Sequence, residues 1–192
     1  METDRTEKEL LQRAMAGDYE AFASLSERHR QGACEFIARI AGTGDAEDVF
    51  MTALLKAWKS IGTFSGKSSY KTWLFSITRY AALDYLRKTK TRGEVSVDDE
   101  ESGASLGGMA DERAPEPYKQ IENDERSRII DKAMEELTEA HREVIDLYYY
   151  EDFKYSEIAE ILEISIGTVM SRLHHAKANL SKSLSAHKDE LI

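Results

Sequence analysis

The sequence predicts an all-α fold: two small helical domains joined by a flexible acidic linker, the C-terminal one containing a helix-turn-helix. Three observations predict it. Apolar residues recur at three- and four-residue spacing along most of the chain, and the one short alternation, Val95 and Val97, falls in a polar segment. Residues Gly93 to Pro117 hold four glycines, both prolines and eight acidic residues against Arg113 alone. Such a stretch repels itself and buries little, so it reads as a linker between residues 1–92 and residues 118–192. The third observation is Tyr155 to Leu180, YSEIAEILEISIGTVMSRLHHAKANL, which reads as two helices joined by a tight turn.

Composition narrows the class. Hydrophobic residues make up 41% of the 192-residue chain and charged residues 32%, a soluble balance with enough apolar matter for small cores. No apolar run approaches the roughly 18 residues that span a bilayer, so no membrane insertion is expected. The N-terminal METDRTEKEL has no apolar signal core, and the single Cys34 leaves no internal disulfide framework, so the expected compartment is the cytoplasm. A net charge of −10 argues at first against nucleic acid, but its distribution reverses that. Residues 1–92 carry 15 Lys and Arg against 12 Asp and Glu, residues 93–124 carry 2 against 10, and residues 125–192 carry 9 against 14. Between Lys67 and Arg92, seven basic residues face Asp84 alone, and local fields govern binding more than totals do.

The helices follow in order. Glu7 to Ala16 places Leu10, Leu11 and Ala14 on one face, and Gly17-Asp18 breaks it. Tyr19 to Arg30 turns Ala21, Phe22 and Leu25 inward, and Gly32 to Ile40 adds Phe36, Ile37 and Ile40. Asp45 can cap the next helix, Ala46 to Ile61, which is apolar over more than half its circumference. Such a helix is buried in its own domain or against a partner. After the loop Gly62 to Ser69, the helix Tyr70 to Arg87 turns Leu74, Ile77, Ala81 and Tyr85 inward. Phe64, Tyr70, Trp73 and Phe75 interleave with Lys67, Lys71 and Arg79, a mixture that suits opened DNA and equally suits a core helix with a solvated basic face. Tyr118 to Leu137 is helical, and Thr138 caps Glu139 to Tyr150, with Val144, Ile145 and Leu147 to Tyr149 inward.

In the helix-turn-helix, Tyr155, Ile158, Ala159 and Leu162 share one face of the first helix. Ile166, Val169, Leu173, Ala176 and Leu180 form the buried stripe of the second, Ser165 caps it, and Ile164 plugs the gap. The unit suits insertion of its second helix into a DNA major groove, and it equally suits a hairpin used only for packing. Catalytic, cofactor and metal chemistry is missing: there is no Gly-rich phosphate loop, and His174 and His175 are adjacent rather than four apart. The chain is read as a non-enzyme that needs no cofactor.

The order of these parts resembles the extracytoplasmic-function (ECF) sigma factors of the bacterial sigma-70 family. GDYEAF (Gly17 to Phe22), DAEDVFMTALLKAW (Asp45 to Trp58), FSGKSSYKTWL (Phe64 to Leu74) and ITRYAALDYLRK (Ile77 to Lys88) carry the resemblance in residues 1–92. LTEAHREVIDL (Leu137 to Leu147) and YSEIAEILEISIGTVMSRLHHAK (Tyr155 to Lys177) carry it from about Tyr118 onward. The resemblance implies a transcription initiation factor with core RNA polymerase and promoter DNA as partners and an anti-sigma factor as regulator. Asp48, Met51, Thr52 and Leu55 would dock on the polymerase clamp helices. Lys67, Ser68, Ser69, Tyr70, Trp73, Arg79, Tyr80, Asp84 and Arg87 would read and open the −10 element. Thr168, Met170, Ser171, Arg172, His174, His175 and Lys177 would contact the −35 element, with Lys182 suited to phosphate.

Met51, Thr52, Tyr80, Met170 and His175 stand where the family usually has Gln, an acidic residue, Asn, a cation and Arg. Of these, Met51, Thr52, Met170 and His175 favour an alternative, a sigma mimic that binds an anti-sigma protein without driving transcription; a third reading, a DNA-binding regulator that does not engage polymerase, is opposed by the clamp-like helix Ala46 to Ile61.

Overall fold

The computed structural model describes residues 2–42, 44–95 and 129–186, and the described residues contain helices and no strand. The first half folds as α1 (Glu2–Met15), α2 (Tyr19–Glu27), α3 (Arg30–Ala41), α4 (Ala46–Ser60) and α5 (Tyr70–Val95). A 3-10 turn, Ile61–Thr63, prolongs α4. The second half comprises α6 over residues 129–135, α7 (Glu139–Ile145), a π-helical turn (Asp146–Tyr150), α8 (Tyr155–Leu162) and α9 (Ile166–Ala186).

Local chemistry sets most of the boundaries. Asp18 accepts the Ala21 amide at 3.1 Å and starts α2. Ser69 accepts the Thr72 amide at 3.1 Å and starts α5, and Ser165 accepts the Thr168 amide at 3.0 Å and starts α9. Thr138 caps α7 as its position predicts. Asp45 does not cap α4; its carboxylate instead accepts the Tyr85 hydroxyl from α5. Two elements outrun the sequence-based limits. Helix α1 starts at Glu2 rather than Glu7, and α5 runs to Val95 rather than Arg87. The first three residues expected in the linker, 93–95, are therefore helical. A glycine inside a helix costs about 1 kcal/mol and does not forbid it. The remainder of the expected linker and residues 118–128 lie outside the described residues.

Two buried clusters hold the fold. One lies within the first half, where Ala14, Phe22, Leu25, Ala57, Ile61, Tyr70 and Leu74 join α1, α2, α4 and α5. The other spans both halves: Phe36, Val49, Phe50 and Phe75 pack in one body with Leu147, Phe153, Ile158, Ile161 and Leu173. Phe75 links them, with its ring centroid 5.7 Å from Phe36 and 5.0 Å from Phe153. The π turn changes the phase of the segment after α7, because i to i+5 bonding adds about one residue per turn. Leu147 stays buried, whereas Tyr149, expected inward, is exposed.

Candidate nucleic-acid interface

The helix-turn-helix is formed as its sequence predicts, except that Ile166, expected on the buried stripe, is exposed at the first position of α9. Glu163 ends α8 in the left-handed region (φ 55°, ψ 44°), and the Ile164 amide returns to the Ala159 carbonyl at 3.0 Å. Ile164 is half-buried against the core between the two helices. On α9, Val169, Leu173 and Ala176 are buried, while Met170, Ser171, His174, His175 and Lys177 are exposed. Several of the −35 candidates already lie against other parts of the chain, His175 with its ring 6.5 Å from that of His141. The Thr168 hydroxyl lies 2.9 Å from that of Ser165, in the cap. The Lys177 ammonium sits over the rings of Tyr148 and Tyr149, at 5.3 and 5.2 Å. Arg172 is half-buried and lines a cavity between the two halves.

The −10 candidates sit differently from the expectation. Tyr70 is only 2% exposed, and its hydroxyl lies 2.6 Å from that of Ser26, so burial pushes the phenol up to about 12. Phe64 and Phe75 are also buried, and Trp73 is half-buried against Phe64 and Tyr70. These rings build the core under the loop, and in this conformation Tyr70, Phe64 and Phe75 offer no face to a base. Their spacing places them on the inner side of α5 and its approach, where apolar area outweighs any gain from exposure. Ser69 is used as a cap, Ser68 is half-buried, and Lys67 and Arg87 are exposed. Asp84 is paired with Lys88 at 3.1 Å and with Lys56 at 3.7 Å; the Lys88 ammonium lowers its carboxyl below the usual range.

The remaining −10 candidates, Arg79 and Tyr80, meet the second half of the chain, as do Lys71 and Thr72, which the sequence did not place in that set. Arg79 donates to both carboxylate oxygens of Glu143, at 2.6 and 3.3 Å, with both side chains largely buried. Lys71 donates to the Glu151 carbonyl at 2.5 Å, lies 3.3 Å from its carboxylate and stands 4.5 Å over the Phe153 ring. Thr72 donates to Glu157 at 3.2 Å, and Tyr80 donates to Glu163 at 2.8 Å. Four side chains along α5 thus each meet a carboxylate-bearing residue from α7, the π turn's end or α8. Gly32 permits the fit on the α3 side: a Cβ there would lie 2.5 Å from the Glu151 carboxylate oxygens.

Asp146, which the sequence did not single out, completes this contact. It is 1% exposed, its Oδ1 is 3.6 Å from Arg39 Nε, and neither Oδ1 nor Arg39 Nη1 has a hydrogen-bond partner. Burial raises its carboxyl to about 7, against the pull of Arg39 and Arg142. Burial also raises Glu151, with Lys71 opposing. Both carboxyls border on Arg39, whose guanidinium lies 4.2 Å over the Tyr150 ring. A cavity of about 240 Å³ lies beside them, lined by Arg39, Arg79, Arg142, Arg172, Glu143 and Asp146.

On α4, Asp48, Met51, Thr52 and Leu55 form a continuous exposed strip, with Met51 53% and Leu55 61% exposed. The Thr52 hydroxyl bonds back to the Asp48 carbonyl at 3.0 Å. The opposite face, Val49, Phe50, Ala53 and Ala57, is buried. Helix α4 therefore has both a core face and a second apolar face that the chain leaves uncovered. Cys34 is half-buried, and burial raises its thiol to about 11, which suits packing rather than reactivity. No group of His, Cys, Asp and Glu among the described residues could hold a metal ion, and no described helix is long and apolar enough to cross a membrane.

Known proteins carry the same design. Residues 25–92 match the family described as Sigma-70 region 2, and residues 127–180 match Sigma-70, region 4. The chain is 31% identical over 178 residues to the ECF RNA polymerase sigma-E factor of Escherichia coli K12, covering 92% of this chain and 93% of that protein. The sigma-E factor of Haemophilus influenzae is 29% identical over 182 residues, covering 93% and 95%. Solved structures share the fold, two of them as follows. CnrH, in complex with the cytosolic domain of CnrY, has a TM-score of 0.68 at 22% identity and covers 94% of this chain and 98% of its own. The sigma factor RpoE of Bartonella quintana, in complex with the anti-sigma factor NepR, has a TM-score of 0.65 at 24% identity and covers 85% and 96%. The chain belongs to the extracytoplasmic-function RNA polymerase sigma factors of the sigma-70 family, and it is a transcription initiation factor.

Proposed function

We propose that residues 1–92 read and open the −10 element, that α9 reads the −35 element, and that the free chain caps its own −10 face until core RNA polymerase separates the two halves. One observation supports the capping: Lys71, Thr72, Arg79 and Tyr80 all meet Glu151, Glu157, Glu143 and Glu163 across the contact between halves. A carboxylate offers arginine the same paired oxygen acceptors that a phosphate offers. Glu143 and Glu151 therefore occupy the positions that promoter phosphates take once the halves part. The −35 face has no such cover. The −10 set narrows accordingly: Lys67, Arg79, Tyr80 and Arg87, with Lys71, contact DNA, Trp73 lies half-buried against Phe64 and Tyr70 of the same half, and Ser69 and Tyr70 support the loop.

The strip Asp48, Met51, Thr52 and Leu55 on α4 binds the polymerase. Its two apolar side chains face solvent in the closed chain, so polymerase can engage before the halves separate. Burial of such side chains contributes about 1.5–3 kcal/mol each, which offsets part of the cost of opening. An anti-sigma factor is the expected regulator, because two of the solved structures that share the fold are complexes, one with the anti-sigma factor NepR and one with the cytosolic domain of CnrY. A factor acting on RNA polymerase works in the cytoplasm and performs no chemistry of its own.

Transcription run-off tests this reading against the sigma mimic. Core RNA polymerase plus the chain, given a library of genomic templates, is expected to yield specific starts. Leu55→Glu is expected to weaken polymerase binding at least tenfold while leaving the helical circular dichroism unchanged, because its side chain touches no core. Binding to an anti-sigma factor with no polymerase binding and no starts would establish the mimic instead.

A further inference from the structure

Helix α9 departs from the common pattern of a basic recognition helix. It carries no Asp or Glu over its 21 residues, so nothing on it opposes a DNA backbone. Yet its cations are not at the front of the helix. Lys177 is drawn over Tyr148 and Tyr149, Arg172 faces the cavity between the halves, and Lys182 lies four turns from the N-terminal end. Besides Gly167, Ser171 and His175, the first three turns present to solvent Ile166 at 48% exposure, Met170 at 54%, and His174, spaced at i, i+4 and i+8 on one stripe. Ser171 and His175 flank it. The N-terminal turns of the second helix are the part that reaches base edges in a helix-turn-helix.

An apolar pair at that place has one complementary feature in the major groove. The thymine C5-methyl is the apolar group on a base edge; the other groups there donate or accept hydrogen bonds, which neither Ile166 nor Met170 can satisfy. A guanine or cytosine edge set against Met170 would lose its water without a replacement partner. Met170 is unbranched and polarisable, so it can follow a methyl over a range of positions. Cations at the rim and an acid-free helix bring the phosphates close, and the apolar stripe then decides the base.

We infer that Ile166 and Met170 are specificity-determining residues that select thymine in the −35 element through contact with its methyl group. The inference rests on the proposed reading of the −35 element by α9 and deepens it.

The test uses the full chain bound to core RNA polymerase. Duplexes with a randomised −35 hexamer are selected by retention, and each thymine of the winning sequence is then replaced by deoxyuridine, which removes only the methyl. Thymine is expected to be enriched at one or two positions. Deoxyuridine at such a position is expected to weaken binding about fourfold, the effect of one buried methyl-sized group. Met170→Ala is expected to abolish that difference, Met170→Leu to retain it, and Met170→Arg to move the preference towards guanine. The deoxyuridine arm needs no variant, so a folding defect cannot obscure it.

A selected sequence that tolerates deoxyuridine at every thymine would overturn the inference while leaving α9 as the −35 reader. Failure to select any sequence would remove the −35 reading itself. Loss of polymerase binding in Met170→Ala, with deoxyuridine silent, would assign the stripe to a protein contact and equally overturn the inference.

Discussion

Glu143→Ala is expected to strengthen binding of single-stranded −10 DNA by the free chain, and Arg79→Ala is expected to weaken it. Both variants break the same largely buried ion pair. Removing one partner of a buried pair costs about 3–5 kcal/mol, because the other charge is left without compensation. A cost at the low end of that range shifts the closed-to-open ratio about a hundredfold. After Glu143→Ala, the unpaired Arg79 gains by moving into water, the halves part, and its guanidinium is free for phosphate. After Arg79→Ala the halves part as well, yet the cation that holds the DNA is gone. Fluorescence anisotropy of a labelled −10 oligonucleotide at fixed salt distinguishes the two, with salt held constant because each phosphate contact is salt-dependent. Equal losses in both variants would mean that Glu143 supports the fold and does not compete with DNA.

Acid is expected to favour the closed form, through Asp146 and Glu151. The Asp146 carboxyl stands at about 7 in the closed chain against an ordinary value of 3.8. The closed state therefore binds a proton more readily than the open one between these values. Its contribution to closure is fully present below about 4 and is lost as pH rises through about 7. Glu151, raised by the same burial, acts in the same direction. The groups facing Asp146 are Arg39 from α3, Arg142 and Glu143 from α7, and Glu151 beyond the π turn. His29, held to about 4 by burial, Lys71 and Arg28, stays uncharged over this interval. One coupled proton changes the ratio at most about tenfold per pH unit. Resonance energy transfer between the halves, followed from pH 8 to pH 6, is expected to report a rising closed fraction. Asp146→Asn, which keeps the shape of the protonated acid, is expected to flatten the response and to stay closed at pH 8. A closed fraction that rises with pH in the unmodified chain would contradict this.

Much of the architecture was legible because it is written in local terms. The stripe Val169, Leu173, Ala176 gave α9, although Ile166, expected on it, is exposed, and Ser165 and Thr138 stand at the caps their side chains predict. The exposed strip on α4 was legible as an excess of apolar positions over what one core face can hold. What was not legible depends on partners distant in sequence. Arg79 and Glu143 are 64 residues apart, and Lys71 and Glu151 are 80 apart. The one signal in the sequence was the opposite sign of the charges: the basic stretch Lys67 to Arg92 and the acidic excess of residues 125–192. Aromatic residues near basic ones gave a misleading reading at Tyr70 and Phe75, because proximity along the chain does not say which side of α5 a ring takes. The π turn has no sequence signature of its own. Tyr149, within it, faces outward, and Asp146, at its start, is buried in the contact, so both were missed.

The separation of the halves by polymerase is measured most directly by a spin-label pair, Glu20→Cys on α2 and Ala178→Cys on α9, in a Cys34→Ser background. Both labelled positions are exposed in the closed chain. The free chain is expected to give a single narrow distance distribution that lengthens when core RNA polymerase is added. A free chain that already samples the polymerase-bound distance would contradict the capped −10 face.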